Sequence, residues 1–234
     1  MVKPPRLAAS TSTKRLPNRT AGVTPQPQGT LNISLTTLAA GTVLHRIHDQ
    51  QYNAVQFNPS MGGNARFSPI QNSKGVPIPT LYAGITQNCA LMETAFHDVP
   101  YVPGFKTVDK GKLIQLVHSI VETTSDLTLV DLASVPLRKL GITRNELIDT
   151  EKDQYPVTRL WAKEIYSQCP EAQGLVWISR QDDSAKAIVL FGDRVNTGVL
   201  QQSGDSLSIT EDSATFTAVL ELAEQLDVLI VPGK

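Results

Sequence analysis

The 234-residue chain lacks several features that would point directly to one class of protein. It has only two cysteines, Cys89 and Cys169, which excludes a disulfide scaffold and favours free thiols in a reducing cytoplasm. No run approaches the roughly 20 apolar residues of a membrane span. The formal net charge is −1, whereas a dedicated nucleic-acid binder is usually strongly basic. The composition therefore predicts a globular cytoplasmic protein with no membrane span and no direct nucleic-acid contact.

The common catalytic and metal-binding motifs are also missing. There is no phosphate-binding loop, no G-x-G-x-x-G, no G-x-S-x-G and no H-E-x-x-H in the sequence. The four histidines lie in three separate regions, at His45, His48, His97 and His118. Glu93 and His97 stand four residues apart and should share one face of a helix, but a metal site would need a further ligand. The sequence therefore predicts no metal, and this pair stays a helix-surface or structural pair.

The small net charge is the sum of two unlike segments. Residues 1–29 carry no acidic residue and a formal charge of +5, from Lys3, Arg6, Lys14, Arg15 and Arg19. The rest of the chain has 16 basic and 22 acidic residues, a charge of −6. The first segment also contains five prolines and many Ser and Thr, a composition that cannot bury enough apolar surface to fold. We predict a flexible tail at 1–29 and a single domain at 30–234; a targeting or export segment and a partner-binding arm remain alternatives for the tail.

Helical and strand patterns are mixed along the body of the chain. Strands are predicted at residues 31–38, 42–47, 81–85, 113–121, 127–132, 174–178, 187–191 and 228–231. Thr86 can cap a helix that ends before Pro100, Pro156 suits the first turn of a second helix, and residues 214–226 form a third. The second helix should bury Val157, Leu160, Trp161 and Ile165. Without a regular βαβ period, the order predicts an α+β fold with mixed or antiparallel sheets and flanking helices.

Five polar side chains stand in apolar or glycine-rich segments. They are Arg46 within a strand, Arg66 after a glycine loop, Tyr82 in a buried strand, Glu93 in an apolar helix and Ser179 at a strand end. An arginine in an apolar strand is costly to bury unless an anion or a partner meets it. The local alternatives are an ion network between the arginines and Glu93, an ordinary strand tyrosine, an exposed helix glutamate and a turn or cap serine.

This ordered set resembles the RES domain, a family named for its Arg, Glu and Ser. The resemblance extends roughly over residues 43–191 and is strongest in the segment LYAGITQNCALMETAFH at residues 81–97. The arginines lie 20 residues apart, and 11 residues separate Tyr82 from Glu93. Two positions depart from the family pattern: Ser68 stands where Asn is usual, and Ile178 stands in a stretch that usually contains proline.

The resemblance implies a fold similar to that of bacterial ADP-ribosyltransferases and NAD⁺ as a consumed substrate, not a cofactor. Many RES proteins are toxins that deplete NAD⁺ by hydrolysis or phosphorolysis, and at least one branch transfers ADP-ribose to a protein. The resemblance also implies a partner, an Xre-like helix-turn-helix antitoxin; a homodimer and an exported effector stay open. It implies catalytic roles for Glu93, Arg66 and Ser179, and NAD⁺ binding by Arg46, Arg66, Tyr82 and Ser179.

The residue chemistry fits these implied roles. Cleaving the nicotinamide–ribose bond develops positive charge at the ribose C1′, which a carboxylate such as Glu93 stabilises. Arginine forks match the diphosphate, and the flat ring of Tyr82 suits nicotinamide or ribose. The leading hypothesis is thus an NAD⁺-degrading toxin whose activity survives deletion of residues 1–29. A protein ADP-ribosyltransferase and a non-catalytic interaction protein are the alternatives.

Overall fold

The structure is a computed structural model that describes residues 23–100 and 104–233. The strands in these ranges are β1 Leu35–Leu38, β2 Val43–Asp49, β3 Thr80–Gly84, β4 Lys106–Asp109, β5 Leu116–Thr123, β6 Leu127–Asp131, β7 Gly174–Ile178, β8 Lys186–Phe191, β9 Leu200–Ser208 and β10 Val228–Val231. The helices are α1 Gln87–Thr94, α2 Ser134–Leu140, α3 Arg144–Leu147, α4 Tyr155–Gln168 and α5 Ser213–Gln225. Among the described residues, no helix is long and apolar enough to cross a bilayer.

Eight of these strands form one sheet in the order β1-β6-β7-β8-β3-β2-β5-β9. All neighbours in this sheet are antiparallel except β6 and β7, which run parallel. The strands β10 and β4 form a separate parallel pair. The mixed sheet with flanking helices confirms the predicted α+β fold.

Both faces of the central strands are covered, which explains why those strands are apolar almost throughout. Along β8, Ala187 and Val189 pack into one core cluster with Trp161 of α4, whereas Ile188 and Leu190 pack into a second. This alternation follows from the two-residue period of a strand. A third cluster joins α1, α5 and β10 to the end of β2. The strands β2, β3 and β8 of the sheet pack against α1.

The local predictions hold best for strongly patterned segments. The helix α1 has the predicted cap, because the Thr86 hydroxyl accepts a hydrogen bond from the Cys89 amide at 3.0 Å, and β10 has the predicted bounds. The prediction for Leu160 is wrong: its side chain is exposed, and Thr158 and Ala162 complete the buried face of α4. The strands β4 and β9 and the helices α2 and α3 were not predicted. Seven residues of β9 in succession are exposed, so this edge strand has no apolar alternation.

Residues 24–31 lie along α4, although residues up to 29 belong to the predicted tail. The buried Thr24 hydroxyl donates to the Glu146 carbonyl at 2.6 Å, and Trp161 Nε1 donates to the Pro25 carbonyl at 2.7 Å. Gln168 donates to the Gly29 carbonyl at 3.0 Å and accepts from the Leu31 amide at 2.8 Å. Deletion of residues 1–22 would keep these contacts, whereas deletion of residues 1–29 would remove most of them. Residues 1–22 lie outside the described part of the chain.

The neutral histidine pair between β2 and β5 should make stability depend on pH. His45 Nδ1 and His118 Nε2 lie 2.9 Å apart with stacked rings, a contact that requires one nitrogen to be unprotonated. Burial, with the charges of His45 and His48, lowers the pKa of His118 from 6.5 to about 4. As the pH falls, His118 is therefore protonated in the unfolded chain before it is protonated in the folded protein. The stabilisation is present above about pH 6.5 and is lost as the pH falls towards 4.

We expect the wild type to lose about 2–3 kcal/mol more of its unfolding free energy than His118→Gln between pH 7.5 and pH 4.5. Urea unfolding at the two pH values measures the difference. Equal losses in the two proteins would show that His118 takes up no proton in this interval on unfolding.

Candidate active site

A cavity of about 240 Å³ opens where β2, β3 and β7 meet α1 and the start of α4. We call it the central cavity. Ala83, Ala90, Ala187 and Trp177 contribute its apolar wall. Its polar side chains are Arg66, Tyr82, Glu93, Thr94, His97 and Tyr155. A few converging polar groups on an apolar wall are typical of a small-molecule site.

The Glu93 carboxylate is held at the edge of this cavity by Ser179. Glu93 lies in the last turn of α1, and Ser179 directly follows β7, so the fold joins residues 86 positions apart. The Ser179 hydroxyl accepts hydrogen bonds from the amides of Gln181 and Asp182, each at 3.0 Å. Its single proton is donated to Glu93 Oε1 at 2.6 Å. This arrangement gives the carboxylate one orientation and suits its ionised form.

The Arg66 guanidinium is buried and anchored by the segment between α3 and α4. Its Nη1 donates to the Thr150 hydroxyl at 2.6 Å and to the Thr150 carbonyl at 3.3 Å, and its Nη2 lies 3.4 Å from the Tyr155 hydroxyl. The guanidinium also lies 5.0 Å from the centre of the Tyr155 ring. Burial lowers the pKa of Arg66, while Tyr155 and Glu93 favour its charged form. Arg66 therefore brings a positioned cation to the cavity wall.

Tyr82 links the central cavity to the loop before Arg66. Its hydroxyl accepts a hydrogen bond from the Phe67 amide at 3.2 Å. Burial raises the pKa of Tyr82 to about 12, so the phenol is neutral at physiological pH. Ser68, one of the two departures from the family pattern, lies near this hydroxyl and opposes the rise of its pKa.

Arg46 lies in a second, adjoining cavity of about 180 Å³, which we call the side cavity. The two cavities share Ile47, Ala65 and Tyr82. Arg46 Nη1 donates to the Ala54 carbonyl at 2.6 Å, which leaves Nε and Nη2 without a partner among the described residues. Burial lowers its pKa to about 10, so the group stays charged at neutral pH. The side cavity therefore offers a fixed guanidinium next to the central cavity.

The structure thus brings the five predicted site residues to one region and gives them different positions. Arg66, Tyr82 and Glu93 line the central cavity, Arg46 lines the side cavity, and Ser179 lies fully buried behind Glu93. Neither arginine is ion-paired with Glu93 in the part of the chain that the structure describes, so the predicted ion network does not form. With 0% of its surface exposed, Ser179 is placed to orient Glu93 and is not in the cavity wall.

A family model for the RES domain matches residues 43–210, which is more than half of the chain. The chain belongs to the RES domain family. No curated protein matches it significantly. The matched range of the RES domain begins with β2 and contains all the residues that line the two cavities. Residues 24–31, α5 and β10 lie outside that range.

His97 and Tyr155 of this RES domain also line the central cavity, and neither was predicted as a site residue from the sequence. The sequence predicts one helix that carries both Glu93 and His97, with the two as a helix-surface or structural pair and not as metal ligands. That placement is wrong because α1 ends at Thr94, although the two side chains do line one cavity. Tyr155 precedes Pro156 at the start of α4, and this helix-start signal was the only one available in the sequence.

Replacing Ser179 of the RES domain by alanine should affect activity and stability together. The change removes the donor that orients Glu93 and leaves two partly buried amides without their acceptor. We expect an unfolding free energy lower by about 1–3 kcal/mol. If Glu93 acts in the reaction, we also expect a turnover of NAD⁺ about 10–100-fold slower, with little change in KM.

Ser184→Ala is the matched control, because Ser184 is an exposed serine in the same turn that bonds Asp182. Urea unfolding and NAD⁺ turnover below the melting temperature separate the two effects. Full turnover by the folded Ser179→Ala protein would show that Glu93 needs no orientation by Ser179.

Proposed function

We propose that this RES domain cleaves the bond between nicotinamide and ribose in NAD⁺. The observation that carries the proposal is the Glu93 carboxylate, which Ser179 holds at 2.6 Å at the wall of a cavity that Arg66 and Tyr82 also line. A carboxylate, a cation and an aromatic ring in one cavity suit a substrate with a cationic aromatic ring and anionic phosphates. The RES family supports NAD⁺-related chemistry for this set of residues.

The chemistry assigned to Glu93 is electrostatic. As the C1′–N bond breaks, nicotinamide leaves with the bonding electron pair, and the ribose gains positive charge at C1′. A carboxylate that is already fixed before the reaction stabilises that charge without reorganising. Such preorganised electrostatic stabilisation is usually the largest single contribution to catalysis. Ser179 supplies this preorganisation. Its hydroxyl oxygen accepts hydrogen bonds from two backbone amides, and its single proton is donated to Glu93.

The side cavity suits the diphosphate of the same substrate. The combined volume of the two cavities falls within the range of about 300–1,000 Å³ that is usual for ligand sites. Arg46 and His48 line the side cavity together with the glycine loop at residues 60–64. Because the chain outside residues 1–29 has a net charge of −6, an anionic substrate needs a local cation such as Arg46 to enter.

We further propose that the cleavage acts as a toxin, by depleting cellular NAD⁺ in the cytoplasm. The support for this role is membership of the RES family. The same membership leads us to expect an antitoxin with a helix-turn-helix DNA-binding part as the partner. Coexpression with the neighbouring open reading frame should then restore the growth of a bacterial host that the RES domain alone arrests. Growth arrest that persists with an inactive variant would contradict the toxin role.

The direct test measures the products that the purified full-length chain forms from NAD⁺. We expect free nicotinamide with ADP-ribose when water is the acceptor, or ADP-ribose-1″-phosphate when phosphate is added. NADH is the control substrate, because its uncharged dihydronicotinamide is a poor leaving group and should not be cleaved. Label from NAD⁺ that accumulates on a protein would instead favour a protein ADP-ribosyltransferase. Unchanged NAD⁺ in both buffers and in cell extract would contradict the proposal.

A further inference from the structure

A chain of hydrogen-bonded side chains leads from the central cavity to the surface. The Tyr155 hydroxyl lies 3.0 Å from His97 Nε2, and His97 Nδ1 lies 2.8 Å from Asp98 Oδ1. The Lys152 ammonium lies 2.5 Å from the same carboxylate oxygen. Tyr155 and His97 line the central cavity with Glu93, whereas Asp98 is 74% exposed. A base that a carboxylate orients, within reach of a hydroxyl, is the arrangement that proton transfer requires.

The partners of His97 determine where its proton lies. The Lys152 ammonium, with His97, lowers the pKa of Asp98, so this carboxylate is ionised and can only accept hydrogen bonds. The proton of the neutral imidazole is therefore on Nδ1, which faces Asp98. His97 Nε2 then presents its lone pair to the Tyr155 hydroxyl. Arg66 Nη2 approaches the same phenol oxygen at 3.4 Å as a donor, so the Tyr155 proton points to His97.

We propose that Tyr155, His97 and Asp98 form a proton relay that deprotonates the water molecule attacking the ribose C1′. This inference rests on the proposed NAD⁺ cleavage. The water oxygen forms the bond to C1′, and the C1′–N bond breaks with its electron pair going to nicotinamide. The water proton passes to the Tyr155 oxygen while the Tyr155 proton moves to His97 Nε2. The Asp98 carboxylate stabilises the imidazolium that results.

A relay separate from Glu93 has a physical reason. If Glu93 took the proton from water, it would lose its negative charge while the ribose still carries positive charge. Ser179 donates its only proton to Glu93 and so holds this carboxylate in one orientation. His97 becomes positive when it accepts a proton, and Asp98 offsets that charge on the side away from the cavity. The geometry thus assigns charge stabilisation to Glu93 and proton removal to His97.

The relay predicts an acidic limit on hydrolysis, because an imidazole that is already protonated accepts no further proton. Several charged or titratable groups face His97 from the elements packed around it, and each contributes to the position of this limit. They are Glu93 on α1, Arg66 in the loop before β3, Glu151, Lys152 and Asp153 just before α4, Tyr155 at its start, Arg180 after β7, and Asp98 beside it.

The pH profile of hydrolysis in His97→Gln tests the relay. We expect kcat at pH 7.5 to fall about 100-fold with a KM for NAD⁺ within about threefold of wild type, and the loss of rate at acidic pH to disappear. Sodium azide, an anionic nucleophile that needs no deprotonation, should accelerate nicotinamide release by His97→Gln and not by wild type. Asp98→Asn should move the acidic limit, and Asp205→Asn is its matched control, an exposed carboxylate on β9 that lines neither cavity.

Three outcomes decide between this inference and the proposal beneath it. A His97→Gln protein that keeps the wild-type rate and pH profile would overturn the relay. So would a slow variant that retains the acidic limit and does not respond to azide, because His97 would then be only structural. Wild-type protein that leaves NAD⁺ intact would instead contradict the proposed function itself.

Discussion

Glu93→Gln should lower the turnover of NAD⁺ by about 10²–10³-fold. The amide of glutamine has nearly the shape of the carboxylate, and its oxygen can still accept the hydrogen bond from Ser179. The substitution therefore removes the negative charge beside C1′ and leaves the packing of α1 in place. Since that charge acts mainly in the transition state, we expect the loss in kcat and a KM that changes little.

Glu221→Gln is the matched control for this change, because Glu221 is exposed on α5, away from both cavities. Nicotinamide release measured by chromatography gives the rates, and the melting temperatures should agree within about 2 °C. A Glu93→Gln protein with at least one third of the wild-type rate would show that the charge of Glu93 does not act in the reaction.

The sequence predicted the parts of the fold that short-range patterns control. Thr86 caps α1, Pro156 lies in the first turn of α4, and β10 has the predicted bounds, since each of these depends on neighbouring residues. The edge strand β9 could not be predicted, because exposed polar residues form it and its pairing with β5 alone defines it. Leu160 was misplaced because a helical period gives an apolar stripe but not its width.

The candidate site was predictable where a family pattern marks it. Arg46, Arg66, Tyr82, Glu93 and Ser179 were singled out from their order, and the fold gathers them around two adjoining cavities. Their roles in catalysis and NAD⁺ binding stay predictions.

The contacts that support the candidate site were not predictable from the sequence. Tyr155 approaches His97 across 58 residues, and Thr150 meets Arg66 across 84. Such contacts depend on how the segment between α3 and α4 folds back over β3, which no local pattern specifies. The strap of residues 24–31 was missed for the same reason, because its partners lie on α3 and α4.

Arg66→Ala should weaken NAD⁺ binding and destabilise the protein at once. The change removes the cation from the wall of the central cavity and leaves the buried Thr150 hydroxyl without its donor, whereas the Thr150 carbonyl keeps a hydrogen bond from Arg180. If Arg66 contacts a phosphate or ribose oxygen, the lost charged hydrogen bond amounts to about 1.5–3 kcal/mol, or roughly 10–150-fold in KM. The unpaired hydroxyl should lower the unfolding free energy by a further 1–3 kcal/mol, where about 1.4 kcal/mol corresponds to a factor of ten in the ratio of folded to unfolded protein.

Arg66→Lys separates the two effects, because it keeps the charge and loses the planar fork that reaches Thr150 and the cavity together. We expect Arg66→Lys to regain most of the stability and to stay about tenfold or more above wild type in KM. Arg138→Ala, at an exposed arginine of α2, controls for the loss of one positive charge. Titration of NAD⁺ by calorimetry on the slow Glu93→Gln background would measure binding with little turnover. An affinity unchanged by Arg66→Ala in that background would show that Arg66 only supports the fold and does not touch the substrate.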